Sequence, residues 1–120
     1  MTRHAFAHDA VLMMGPEADL RAPGGAVTTA LCGHWEHEPP CPVAAHHTAA
    51  VRVDGEVRVH VLFATEPDRE QRVRGLIDAA LAAGAFAGPD GTASFWSLTS
   101  SAPGEVAPEE TAHAARLTEQ

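Results

Sequence analysis

Both cysteines and four of the eight histidines of this chain fall between Cys32 and His47. Thiolate and imidazole are the ligands that Zn²⁺ prefers, and four of them arranged as a tetrahedron enclose the ion completely. The same soft sulfur and nitrogen donors suit Cu(I). In order of preference the candidate metal ligands are Cys32, His34, Cys41, His46 and His47, followed by His60 and His37. Their spacing, C-x-H-x6-C-x4-H-H, is not that of a standard zinc finger, so ligand density rather than motif carries the reading. Zn²⁺ is the expected ion, with copper as the alternative.

Other chemistries compete for the same residues. A free cysteine is often a small buried hydrophobe. Cys32 and Cys41 flank a proline-rich stretch and could form a disulfide, which a reducing compartment opposes. Cys32 with His34 has the composition of a thiolate–imidazole nucleophile, but no third group to orient the imidazole is evident. Glu36 or Glu38 could act as base to a metal-bound water, the weaker hydrolase reading. Gly24-Gly25 stands alone and makes no phosphate-binding loop. His4, His8 and His113 read as solvated surface groups, and Trp35 and Trp96 as core or interface residues.

The elements that would position these groups follow from periodicity. Residues 5–14 read as a strand, and 15–25, rich in Gly and Pro, as a loop. Residues 26–37 read as a second strand, because Val27, Leu31 and Trp35 share one parity and Cys32, His34 and Glu36 the other. Residues 46–52 and 56–65 flank Val53-Asp54-Gly55 and predict a hairpin with a three-residue turn. That register pairs Arg52 with Glu56, Val51 with Val57 and Ala49 with Val59. It gathers Val51, Val57, Val59, Val61 and Phe63 on one face and leaves His46, Thr48 and His60 on the other. If the strand 26–37 lies beside 46–52, then Cys32, His34, His46 and His60 share the sheet's outer surface, with neighbouring strands ~4.8 Å apart.

Residues 66–83 predict a helix, with Pro67 in its first turn, an apolar stripe of Val73, Leu76, Ile77, Ala80 and Leu81, and Gly84 as its stop. Glu70, Arg74 and Asp78 fall at i, i+4 spacing on its polar side. A turn at 88–91 leads to a last strand over 93–99, and 108–117 has the pattern of a short helix. The predicted fold is α+β: a mostly antiparallel sheet of four or five strands with one main helix on its apolar face, spanning residues 1–100 as a single domain, and a polar tail over 101–120.

A length of 120 residues leaves room for one domain, and 45% apolar residues suffice for a core. The chain has no lysine, and its 8 arginines face 16 acidic residues, for a net charge of −8. Without a basic stripe, nucleic acid and membrane surfaces are disfavoured as partners. The first residues lack the apolar run of a secretion signal, and two cysteines are too few for a disulfide framework, so a cytoplasmic protein is expected. The leading functional expectation is a small cytoplasmic metal-binding domain in a structural or sensing role. Its rival is a metal-free homodimer that associates through the His-rich outer face of the sheet.

Overall fold

In the computed structural model the described residues are 3–32, 44–88 and 91–119. Alternation builds the first strand, β1 (His4–Met14), which turns His8, Ala10, Leu12 and Met14 into the core and Asp9 and Met13 outward. The hairpin β2 (Ala45–Val53) and β3 (Glu56–Thr65) is present, but its turn is shorter than the sequence predicts. Asp54 and Gly55 both have positive φ, 49° and 85°, which defines a two-residue turn whose twist matches the strands it joins. Val53 therefore pairs with Glu56, Arg52 with Val57 and Ala50 with Val59. This one-residue slip turns over every side chain of β2. Val51 leaves the core and is 56% exposed, while His46 and Thr48 move to the face of Phe63 and Val61.

The largest departure lies between β1 and β2. Over its described part, residues 26–32, the strand expected over 26–37 is instead helical, within α1 (Ala22–Cys32), which also takes in part of the expected 15–25 loop. Val27 and Leu31, spaced by four, satisfy strand parity and a helical stripe equally, and burial of Ala22, Pro23, Ala26, Val27 and Leu31 shows that the helical period prevails. Pro23 sits in the first turn, where its missing N–H costs nothing. Residues 26–32 therefore do not pair with β2, and residues 33–37 of the expected strand lie outside the described residues.

After β3, a 3₁₀ turn (Pro67–Arg69) leads into α2 (Glu70–Ala82), whose Val73, Ile77 and Leu81 are fully buried. Gly84 follows with φ 72°, in the left-handed conformation that stops a helix. A short β4 (Ala85–Ala87) pairs with β5 (Ala93–Gly104), which runs well past the expected 99. The strand order is β2-β3-β1-β5-β4, and every pair is antiparallel. β1-α1-β2 thus straddles one intervening strand, β3, a split β-α-β arrangement, while α2 leads from β3 to β4 at the far edge of the sheet.

The α+β class with an antiparallel sheet is as expected, but the helical layer is not a single helix. α1 and α2 pack together on one face, over Leu12, Val59, Phe63 and Trp96. The other face is covered at one end by α3 (Thr111–Thr118), which sets Ala114 and Leu117 on Ala45, Leu62 and Ala64. Between Val11 and Leu12 the β1–β5 register shifts, from Ser100 to Leu98, so Thr99 is an extra residue. This bulge reverses the parity of the rest of β5 and carries Ser101 to the α2 side.

Candidate functional site

Of the predicted ligands, His34, His37 and Cys41 lie outside the described residues, as do Trp35, Glu36 and Glu38. Cys32 ends α1, one helical turn after Thr28. His46 and His47 are neighbours on β2 and therefore point to opposite faces. His46 faces α1, where its Nε2 meets Thr28 Oγ1 at 3.0 Å. His47 faces α3, with its ring centroid 4.7 Å from that of His113. His60 also faces the α3 side, so His46 and His60 do not share a surface as the predicted register implies. The structure keeps His46 near the end of α1 and separates it from His47 and His60.

The bonds of His46 define its tautomer. Its Nδ1 lies 3.2 Å from the carbonyl oxygen of Ala44, which can only accept, so Nδ1 carries the proton. Nε2 then offers its lone pair towards Thr28, whose hydroxyl donates to it. Here a cleft of about 450 Å³ opens between α1 and the edge strand β2, lined by Leu20, Arg21, Thr28, His46, Thr48 and Ala50. Thr48 Oγ1 is buried beside it without a hydrogen-bond partner among the described residues. Gly24 leaves room over Thr48, since a Cβ there would only touch Thr48 Cβ at 3.5 Å.

A second constellation was not anticipated. His8, expected at the surface, is 2% exposed and lies between α2 and β5. Arg74, expected on the polar side of its helix, is 6% exposed. Its Nη1 donates to Ala7 O at 2.7 Å and to His8 Nδ1 at 3.0 Å, and its Nε donates to Glu70 Oε2 at 2.7 Å. Because a guanidinium only donates, His8 Nδ1 is the acceptor and Nε2 carries the proton. That N–H is shared between Asp78 Oδ1 at 2.9 Å and Ser101 Oγ at 2.8 Å, while the Ser101 hydroxyl donates to Asp78 Oδ1. The residues are those of a Ser-His-Asp triad, but the wiring is not. In a triad the carboxylate holds Nδ1 and leaves Nε2 free to take the serine proton. Here Nε2 is already protonated, so the cluster fastens α2 to β1 and β5 and does not activate Ser101. A signal existed in the sequence, since His8 falls in the apolar row of Phe6, Ala10 and Leu12.

The third constellation joins the sheet to α3. His60 Nδ1 lies 2.5 Å from Asp9 Oδ1, and its Nε2 lies 2.8 Å from Glu110 Oε1, which also accepts the Ala107 N–H at 2.8 Å. Both ring nitrogens donate to carboxylates, which suits the imidazolium. Burial pushes the pKa of His60 down, but the hydrogen bonds and charges of Asp9 and Glu110 together outweigh it and raise it above the ordinary 6.5. The Ala107 N–H and His60 hold Glu110 below its ordinary 4.5, against the pull of burial.

The chain matches no protein-family model, no curated protein and no solved structure. The split β-α-β arrangement does not specify a function either, so function has to be argued from these three clusters. Among the described residues, no three His, Cys, Asp or Glu side chains stand close enough to hold a metal ion. Among them, too, no helix is long and apolar enough to cross a membrane.

The His60 cluster yields a pH prediction. A raised folded-state pKa means that the stabilisation is complete below about pH 6.5 and fades as pH climbs through the raised value. Glu110 behaves oppositely: its contribution is present above about pH 4.5 and is lost as pH falls through the lowered value. The two overlap between these limits. The difference in melting temperature between the native protein and His60→Gln should therefore be widest near about pH 5.5 and shrink by about pH 9. His47, whose pKa burial and the nearby His113 lower, titrates in both proteins and largely cancels from the difference. A gap that stays constant across this range would show that the ion pairs do not hold α3.

Proposed function

We propose that this protein is a small cytoplasmic metal-binding domain whose site is formed by Cys32, His34, Cys41 and His46, with Zn²⁺ preferred over copper and a structural or sensing role. The observation that carries the reading is the orientation of His46. A metal-ligating histidine typically donates its other ring N–H to a carbonyl or carboxylate, which fixes the tautomer and ring direction. His46 makes this bond to Ala44 O and turns Nε2 towards α1. The Thr28–His46 contact also holds α1 against the start of β2, the two elements that flank the Cys/His-rich segment. Two thiolates and two imidazoles fit a closed tetrahedral zinc site. His47, which points to the opposite face, leaves the set, and four donors remain.

Elemental analysis of untagged protein tests this reading. About one equivalent of zinc or copper is expected, falling on Cys41→Ser or His46→Ala, with a lower melting temperature in chelator. Less than about a tenth of an equivalent, with no uptake on titration, would sink it. Since imidazole must be neutral to ligate, occupancy should fall below about pH 6.

The rival reading, a metal-free homodimer, draws on the apolar side chains of the face opposite α1 and α2. Met13, Val51 and Phe95 are 47%, 56% and 67% exposed there. A dimer in sedimentation that chelator leaves unchanged, together with absent metal, would favour it.

A further inference from the structure

His47 and His113 come from distant parts of the chain, β2 and α3, and meet on the outer face with ring centroids 4.7 Å apart and planes inclined at 58°. This separation fits two rings that share one ion. A metal–nitrogen bond of about 2.0–2.1 Å places a ring centroid roughly 3.2 Å from the ion. Two such rings at roughly 90–110° about the ion then stand about 4.5–5.2 Å apart. We propose that His47 and His113 form a two-imidazole chelate for a divalent late transition ion, Cu²⁺, Ni²⁺ or Zn²⁺, with water completing its coordination.

The surroundings favour a cation of this class. Glu110, one turn before His113, brings negative charge close to both rings, as the electrostatic coupling of its carboxylate to each shows. Imidazole pairs suit late first-row ions, with Cu²⁺ bound most tightly, whereas Ca²⁺ and Mg²⁺ demand oxygen ligands. With only two protein ligands the ion is exchangeable, unlike one enclosed by four. Its effect is mechanical. α3 rests on the sheet through Ala114 and Leu117 and the His60 ion pairs, and a bridging ion adds a tie between β2 and α3. Binding to the docked state alone stabilises that state by mass action.

The site is independent of the one proposed for residues 32–47, and the test keeps the two apart. Full-length untagged protein is dialysed against chelator, returned to buffer and titrated with Ni²⁺ by calorimetry, with melting curves in parallel. Histidine ring resonances are then followed by NMR as Zn²⁺, which is diamagnetic, is added. A Ni²⁺-induced rise in melting temperature is expected, with His47 and His113 resonances shifting first on Zn²⁺. Loss of a ligand should weaken Ni²⁺ binding by more than the about 10–100-fold that removing an outer hydrogen-bond partner costs. His113→Ala and His47→Ala should each do this, while His46→Ala should leave the site unchanged. Binding and thermal shift unaltered in both His113→Ala and His47→Ala would overturn the proposal, as would first shifts at His46 alone. Protein that purifies without zinc or copper, takes up neither outside the His47–His113 pair on titration, and yet shows this behaviour would refute the Cys/His reading and leave the present one standing.

Discussion

Arg74→Ala is expected to lower the unfolding free energy by about 3–5 kcal/mol, as removing one partner of a buried charged network does. The guanidinium binds Ala7 O, His8 Nδ1 and Glu70 Oε2, and its side chain is 7% exposed. Its removal strands a carbonyl in the core, deprives His8 of the donor that sets its tautomer, and leaves the Glu70 carboxylate without its partner. A domain of this size has about 5–15 kcal/mol in total, so the loss approaches the limit of folding. Arg74 also lies over the rings of Phe63 and Phe6, at 5.2 and 5.9 Å from their centroids. Arg74→Met, which restores packing but no hydrogen bond, should recover only part of the loss. Urea unfolding followed by circular dichroism measures both, and a cost under about 1 kcal/mol for Arg74→Ala would mean that water replaces the network freely.

Phe63→Ala should cost a comparable amount, about 3–5 kcal/mol, through lost burial and the cavity left behind. Phe63 is fully buried on β3, packs on Phe6 at a centroid distance of 5.6 Å and lies under Arg74. It is also the cross-strand partner of His46, so it forms part of the floor on which that imidazole stands. The two substitutions should not add. Residues in direct contact couple by about 0.5–3 kcal/mol, and a double-mutant cycle of Phe63→Ala with Arg74→Met reads that coupling. Strict additivity would show that the guanidinium is held by its hydrogen bonds alone. If the metal reading is right, Phe63→Ala should also reduce metal retention under conditions where it remains folded.

Some of this architecture was legible because the signals were local. The apolar stripe of α2, with Pro67 before it and Gly84 after it, identifies a helix from spacing alone. The Asp54-Gly55 pair marks a hairpin. The alternation in β1 identifies a strand, and the same parity places His8 inside, against the expectation of a solvated histidine. Periodicity likewise set the α+β class, and composition the surplus of acid over base.

The misreadings share a physical origin. Val27 and Leu31, four residues apart, obey both the strand and the helix period, and Pro23, Gly24 and Gly25 have poor helix propensity. Only the apolar surface offered by Val59, Phe63 and Trp96 decides for a helix there. The hairpin's register turns on whether Val53 belongs to the turn or to the strand, a single-residue choice made by the positive φ of both Asp54 and Gly55. That choice assigns His46 to one face and His47 to the other, and with them the two sites.

By itself, then, the sequence determined which residues could do chemistry and most of the elements that carry them, since both follow from residue type and near-neighbour spacing. Which imidazole meets which partner was decided only in the folded molecule. Thr28 with His46, Arg74 with His8, His60 with Glu110 and His47 with His113 are separated by 18 to 66 positions. Contacts over such distances depend on register, on one bulge in β5 and on where α3 docks, and each of these is settled by burying apolar surface across the whole domain rather than by any local preference.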